Sequence, residues 1–163
     1  MNGYLNRLLS TDKEDYVIAS DTDSIYLNLG PLVNKFFGAK SSDKTAVVGL
    51  LDKICKEKLE PFIESSYEEL AYYVSAYDQK MQMKRENIAD RGIWTAKKRY
   101  ILNVWDSEGV RYKEPKLKIM GLETARSSTP AYFRTKLYDA FKMIVTQTND
   151  DLINYVEEIK KES

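Results

Sequence analysis

The sequence predicts an α+β fold in which an antiparallel sheet packs against helices and further helices follow it. Short runs rich in β-branched and aromatic residues flank polar turns in two places, near residue 22 and near residue 107. Apolar residues recur at helical spacing between these places and after them. The chain shows no Rossmann-like alternation of strands and helices, and its 163 residues suit one folded core or slightly more.

The first predicted elements are a helix and a β-hairpin. Leucine and tyrosine residues at helical spacing predict the end of a helix over residues 2–10. The runs YVIAS (16–20) and IYLNL (25–29) enclose the tetrapeptide DTDS, which is compatible with a tight turn. The pattern therefore predicts two antiparallel strands with acidic residues at their tip.

Helices are predicted after this hairpin. One is expected around residues 32–37, and a longer one from Asp43, as its N-cap, to about Leu59. Cys55 is expected on this longer helix as a small buried apolar residue. Pro61 breaks or restarts the helix, and the apolar spacing over residues 62–77 predicts a further helix that packs against the sheet.

Sheet is predicted again from about residue 80. The sequence KKRYILNVWDSEGVRYKEPKLKIMG (97–121) predicts a strand, a turn at Asp106–Gly109 and a second, antiparallel strand. These two strands are expected to carry lysines and tyrosines on one face.

Two helices are predicted to complete the chain. The sequence SSTP (127–130) is typical of a helix start and predicts a helix that reaches about Thr148. Asn149 or Asp150 is then expected to cap a last helix, which begins with acidic residues and has lysines near its end.

Composition excludes several classes of function. The chain has no histidine and one cysteine, which excludes histidine-dependent triads, HExxH metalloproteases and cysteine-rich zinc sites. Its longest apolar runs are too short to span a bilayer, and its first residues do not form a secretory signal. The expected context is therefore intracellular, without a membrane partner. The net charge is zero, yet residues 80–118 hold 11 positive and 5 negative side chains, so the middle of the chain is basic.

The DTDS turn is the first candidate site. Asp21 and Asp23 lie at the apex of the predicted hairpin, where two carboxylates can bind a hard divalent cation such as Mg²⁺. The alternative is ordinary turn chemistry, in which the same side chains hydrogen-bond to the backbone. DxD pairs also occur in nucleotide-sugar transferases, but that class needs the strand–helix alternation that is missing here.

The basic run TAKKRYILNVWD is the second candidate site. On a strand, Lys97 and Arg99 would point to one face and Lys98 and Tyr100 to the other. Such residues can neutralise phosphates and stack on or hydrogen-bond to nucleic acid. The alternative is a solvated sheet edge guarded by lysines, with Tyr100 and Trp105 as packing residues.

Taken in series, these motifs resemble a known family. DTDSIY (21–26), KKRY (97–100) and WDSEGVRYKEPKLKIMGLETARSSTP (105–130) are similar to the carboxy-terminal palm of family B DNA polymerases, and most closely to those of T-even-like bacteriophages. The resemblance covers most of the chain. It implies that residues 1–125 form the C-terminal part of a palm-type sheet domain and that residues 126–163 begin a helical thumb.

The resemblance also implies roles for individual residues. Asp23 would be the second catalytic metal ligand, with Asp21 as a supporting carboxylate and Glu86 as a further acidic residue near the metals. Thr22 would lie near the primer end. Lys97, Lys98 and Tyr100 would correspond to the family's KKxY motif, which contacts the primer–template duplex, with Arg99 in the variable position.

The implied activity is that of a DNA-directed DNA polymerase, a nucleotidyltransferase of DNA replication. Two Mg²⁺ ions would assist the attack of a primer 3′-hydroxyl on a deoxynucleoside triphosphate, and primer–template DNA would be the partner. The earlier aspartate motif, the fingers helix and the exonuclease domain of the family are absent from the sequence. We therefore expect a fragment that is inactive alone, acts in the host cytoplasm, and needs a missing N-terminal half.

The interpretation as a fragment leads to one further expectation and leaves one alternative open. The apolar surface that the missing half would otherwise cover could support a homo-oligomer. The alternative to a polymerase fragment is a stand-alone, non-catalytic nucleic-acid-binding module, in which the DTDS tetrapeptide is only a turn.

Overall fold

The computed structural model describes residues 1–38, 43–122 and 128–162. They form two units with separate internal contacts, which divide between Glu86 and Asn87. Both units combine helices with antiparallel strands, so the predicted α+β class is confirmed. The predicted domain boundary at residues 125 and 126 lies outside the described residues and stays a prediction. No helix within the described ranges has the length and apolar character needed to cross a membrane.

The first unit is built around a small core at the junction of its first helix, its hairpin and its later helices. Leu5, Tyr16 and Leu59 are its buried residues. The elements in chain order are helix α1 (Asn2–Leu9), strand β1 (Val17–Asp21), strand β2 (Ser24–Leu27), helix α2 (Gly30–Phe37), helix α3 (Lys44–Ile54), a π-helical turn (Cys55–Leu59) and helix α4 (Glu60–Tyr73).

The predicted hairpin is confirmed. Strands β1 and β2 are antiparallel, with Val17 opposite Leu27 at the base and Asp21 opposite Ser24 at the tip. The Asn2 side chain of α1 accepts hydrogen bonds from the backbone N–H groups of Tyr16 (3.1 Å) and Val17 (2.9 Å). The base of the hairpin is therefore tied to α1, and the acidic turn lies at the opposite end.

The helices around Pro61 show how proline is accommodated. Asp43 caps α3 as predicted, because its Oδ1 accepts a hydrogen bond from the N–H of Ala46 (3.0 Å). The chain then passes through the π-helical turn directly into α4, with Pro61 in the first turn of that helix. The N–H of Glu60 bonds to the carbonyl of Cys55, five residues back, so the hydrogen-bond pattern changes directly before the proline, which has no N–H to continue the usual α-helical pattern. Cys55 lies in the π-helical turn, partly buried against the core.

Helix α4 departs from the prediction at its far end. It ends at Tyr73 rather than near residue 77, and none of its side chains, all of which are described, is fully buried. The ring of Phe62 stacks on that of Tyr4 in α1 at 4.0 Å between centroids. Tyr72 and Tyr77, by contrast, are almost fully exposed. The expected packing against the sheet is therefore wrong for this end, since helical spacing defines an apolar face but not what covers it.

The second unit contains one strand more than the sequence analysis predicted. Strands β3 (Asn87–Ala96), β4 (Arg99–Ser107) and β5 (Val110–Met120) form the antiparallel sheet of its described part in the order β3–β4–β5. The sheet is followed by helix α5 (Ala131–Thr146) and helix α6 (Asn149–Glu162). Ile101 of β4, Leu122 and Val145 of α5 are buried together, so α5 packs on the sheet.

The predicted turn between β4 and β5 is confirmed. Glu108 and Gly109 connect the strands with positive φ angles of 52° and 89°, as in hairpin turns of the type I′ class. The buried carboxylate of Asp106 accepts a hydrogen bond from the N–H of Gly109 (3.0 Å) and lies 3.8 Å from the guanidinium of Arg111. These contacts fix the turn.

The start of α6 differs slightly from the prediction. Thr148, rather than Asn149 or Asp150, is the capping residue. Its Oγ1 and backbone N–H both donate hydrogen bonds to Oδ2 of Asp151, at 2.6 and 3.2 Å. The N–H of Asp151 in turn lies 3.5 Å from that Oγ1. This reciprocal pair is a capping box, which satisfies two backbone donors at once.

Candidate nucleic-acid interface and metal turn

The acidic turn at the tip of the first hairpin contains Asp21, Thr22 and Asp23. Asp21 is half-buried at the end of β1, whereas Thr22 and Asp23 form the exposed turn itself. Oδ1 of Asp21 accepts a hydrogen bond from the N–H of Thr22 (2.9 Å), with the Thr22 hydroxyl at 3.4 Å. Part of Asp21 therefore does serve the local turn chemistry, which was the alternative explanation for this motif. Asp23 presents its carboxylate to solvent.

The oxygen donors of this turn fit the chemistry of Mg²⁺. Magnesium prefers carboxylate oxygens, commonly takes one or two of them, and keeps several waters. Asp21 and Asp23 supply such donors on a hairpin whose base is hydrogen-bonded to α1. A complete site of this kind also requires ligands other than these two side chains.

Glu86 lies immediately before β3, in a segment without regular secondary structure rather than on the predicted strand. Its side chain is exposed, and its carbonyl accepts a hydrogen bond from Nη1 of Arg85 (3.4 Å). Across residues 1–38, 43–122 and 128–162, no three acidic or cysteine side chains are grouped so that they could hold a metal ion. The structure thus does not bring Glu86 together with Asp21 and Asp23 in one metal-binding cluster.

The KKRY motif is a hairpin turn and not the continuous strand that was predicted. Lys97 and Lys98 form the two-residue connection between β3 and β4, and Arg99 is the first residue of β4. The prediction was wrong because period-2 geometry was applied across a turn. A single strand from Asn87 to Ser107 would be about 70 Å long, several times the usual length, so the sheet must fold back within it.

The turn separates the four residues of the motif into two groups. Lys97, Lys98 and Arg99 are exposed at one end of the sheet. Tyr100 is only 8% exposed, and its ring lies 6.3 Å from that of Trp94 on the neighbouring strand. Tyr100 is therefore a packing residue of the sheet, and its contact with DNA stays a prediction.

Basic residues outside the predicted site also lie on this sheet. Nζ of Lys116 on β5 is 4.2 Å from the centre of the Tyr112 ring, so both side chains share one face. This agrees with the expected face of lysines and tyrosines for β5; for β4 the expectation stays a prediction. Lys113 is exposed on the same strand. The excess of positive charge over residues 80–118 indicated that basic residues other than the KKRY motif lie here, although the candidate site was assigned to that motif alone.

The acidic turn belongs to the first unit, and the turn formed by Lys97 and Lys98 belongs to the second. The resemblance implies one polymerase site that uses both turns, and this stays a prediction.

Comparison with known proteins shows that the chain is similar to a segment of two longer phage proteins. No protein-family model matches it. It is 41% identical over 155 residues, or 90% of its length, to the DNA-directed DNA polymerase of Escherichia phage RB69. It is also 35% identical over 170 aligned positions, or 99% of its length, to the DNA-directed DNA polymerase of Enterobacteria phage T4. The resemblance to T-even-like phage DNA polymerases is confirmed. The chain spans 17% and 19% of the lengths of these two relatives.

Proposed function

We propose that this chain is one segment of a replicative DNA-directed DNA polymerase of family B. In this proposal it supplies part of the two-metal nucleotidyl-transfer site and part of the primer–template-binding sheet. The observation that carries the proposal is the match to two phage DNA polymerases along nearly the whole chain, because it includes both the acidic turn and the KKRY turn.

The acidic turn is proposed to hold metal and substrate. Asp23, with its exposed carboxylate, is the principal ligand, and Asp21 supports it from the end of β1. Bound Mg²⁺ supplies a Lewis acid that lowers the pKa of the primer 3′-hydroxyl and stabilises charge on the phosphoryl oxygens. Thr22 lies between the two carboxylates, where it could contact the primer end. The hairpin keeps these groups in place because its base is anchored to α1.

The KKRY turn is proposed to bind the duplex. Lys97, Lys98 and Arg99 are exposed at one end of the sheet, where their positive charges can neutralise phosphates. Other polypeptide of the polymerase would supply the further metal-binding aspartate and the residues that grip the deoxynucleoside triphosphate. The segment is accordingly proposed to act in the host cytoplasm and to be inactive alone.

Duplex binding by the chain tests this proposal. We expect Lys97→Ala/Lys98→Ala to weaken the affinity for a primer–template duplex at low salt. The slope of log affinity against log salt should fall by up to about 2, because each lost phosphate contact releases about one counterion fewer. Titration by fluorescence anisotropy at several salt concentrations measures both quantities.

The matched control removes two exposed lysines elsewhere. Lys58→Ala/Lys142→Ala makes the same change in net charge at exposed positions of the π-helical turn and of α5. We expect this variant to retain the salt slope of the parent chain. Equal losses in the two double variants would show that only overall charge matters, and would contradict the assignment of the turn to DNA.

A further inference from the structure

Gly121, the first residue after β5, lies directly against the backbone of the KKRY turn. Its φ angle is +68°, in the left-handed region. A Cβ atom built on it would be 2.1 Å from the carbonyl oxygen of Lys98 and 3.2 Å from Cγ of Arg99. Real Cβ atoms essentially never come as close to another atom as this one would to the Lys98 oxygen, so no residue with a side chain fits here unless the turn moves.

The register of the sheet explains this close approach. Tyr100 pairs with Met120 at the end of the antiparallel β4–β5 ladder. Gly121, which follows Met120, is therefore next to Arg99, which precedes Tyr100, and so lies beside the turn. Lys98 has a φ angle of 62°, a conformation that lysine rarely adopts. Such a conformation persists only where the surrounding structure holds it in place. Gly121 lies beside the Lys98 carbonyl and is one part of that surrounding structure.

We propose that Gly121 is a positioning residue for the DNA-contacting turn. Because Gly121 has no side chain, the Lys98 carbonyl can pack against it. This contact holds Lys97 and Lys98 in the conformation that binds phosphate. This inference rests on the proposed function, which assigns the two lysines to duplex DNA. It adds a residue that does not itself touch DNA but determines where the lysines lie.

Gly109 provides a control for backbone strain. It also has a positive φ angle, 89°, but a Cβ built on it meets nothing within 4 Å. It lies in the β4–β5 turn, at the other end of β4 from Lys98. Alanine at either position is strained by its φ angle, whereas only alanine at 121 also collides with the KKRY turn.

The experiment compares Gly121→Ala and Gly109→Ala in the full chain. Duplex affinity and its salt slope are measured, together with NMR signals and hydrogen exchange of the backbone amides. We expect Gly121→Ala to shift the amides of Lys97–Arg99 and to weaken duplex affinity at least about threefold, with a reduced salt slope. Gly109→Ala should leave both properties close to those of the parent.

A double-mutant cycle separates positioning from general damage. In the Lys97→Ala/Lys98→Ala background, Gly121→Ala should cause no further loss of affinity, because it acts through the lysines. An additive loss, or equal losses for Gly121→Ala and Gly109→Ala, would overturn the positioning role. Unchanged binding by Lys97→Ala/Lys98→Ala would instead overturn the assignment of the turn to DNA.

A second pair of variants applies if Gly121→Ala does not fold. Lys98→Gly removes the φ restriction of the turn and lets its carbonyl move, so that Lys98→Gly/Gly121→Ala should fold. We expect this double variant to bind the duplex more weakly than Lys98→Gly alone, because Lys97 is displaced. Equal binding by the two, or failure of the double variant to fold, would overturn the proposal.

Discussion

Arg85 is the residue that fixes the chain just before the second unit begins. Its side chain is only 7% exposed, and its Nε and Nη2 atoms donate to Oδ1 of Asp52 at 3.1 and 2.5 Å. Nζ of Lys56 donates to the other oxygen of Asp52 at 2.9 Å. The backbone N–H of Arg85 donates to Glu60 (3.1 Å), so the segment that carries Glu86 is tied to α3 and α4.

This network makes the stability of the first unit depend on pH. The hydrogen bond from Lys56, followed by that from Arg85, lowers the pKa of Asp52 below its ordinary value of 3.8. A carboxylate with a lowered folded-state pKa stabilises the fold above its unfolded-state pKa, and this stability is lost as the pH falls through the folded-state pKa. The relevant window therefore lies below about pH 4.

We predict that Asp52→Asn lowers the free energy of unfolding by about 1 kcal/mol near neutral pH, because charge-assisted hydrogen bonds are lost. The same variant should lose less stability than the parent as the pH falls below about 4. Urea unfolding followed by circular dichroism at a series of pH values measures both effects. Asp12→Asn, at an exposed position, is the control. Parallel acid profiles for the parent and Asp52→Asn would contradict this account.

Residue-level predictions succeeded where the controlling interaction is local. The Asp43 cap joins residues only three positions apart, Asp43 and Ala46, and it is present. Cys55 was predicted to be a buried apolar residue; it is partly buried, and burial raises the pKa of its thiol to about 11, which keeps it protonated. The contact between Arg85 and Asp52 could not be predicted, because it joins positions 33 residues apart that no periodic pattern relates.

At the scale of elements, the hairpins show what a sequence pattern can and cannot define. The β1–β2 and β4–β5 hairpins were predicted because polar turn residues interrupt runs of β-forming residues. The β3–β4 hairpin was missed because its turn consists of Lys97 and Lys98, neither of which is a typical turn former. Its left-handed residue, Lys98, lies beside Gly121, and the two come together only in the folded sheet.

The capping box of α6 gives a prediction for one element. Thr148→Ala removes one of its two members and should destabilise α6 by about 1 kcal/mol. Thr146→Ala is the matched control, since its hydroxyl donates to the Lys142 carbonyl within α5 and caps no helix start. Amide hydrogen exchange in the first turn of α6 should accelerate for Thr148→Ala only. Equal acceleration in both variants would show that the box does not hold the helix.

At the scale of the whole molecule, the two units have separate buried clusters. The first unit has a buried cluster formed by Leu5, Tyr16 and Leu59. The second unit has a buried cluster formed by Ile101, Leu122 and Val145. The α+β class was predictable because each of these clusters is built from periodic apolar segments. The division after Glu86 was not predicted. Charge and pattern both change near residue 80, but the resemblance placed the domain boundary at residues 125 and 126.

The two halves of the proposed site are distributed over these units. The acidic turn is in the first and the KKRY turn in the second, so neither unit alone contains the proposed machinery. Both motifs, the acidic turn and the KKRY turn, could be found in the sequence. Neither pattern by itself indicated a polymerase site; that common role came from their resemblance to phage polymerases. Similarity along the chain to two such polymerases supports that common role.

Primer extension by a chimeric enzyme tests the proposed function most directly. In this chimera the chain replaces the 155-residue matching segment of the phage RB69 polymerase, so that the remaining domains are supplied. We predict that the chimera extends a primer, that Asp23→Asn lowers its rate at least about a hundredfold, and that Asp12→Asn does not. Undiminished extension by the Asp23→Asn chimera, or a parent chimera that binds primer–template without extending it, would contradict the role of this turn in nucleotidyl transfer.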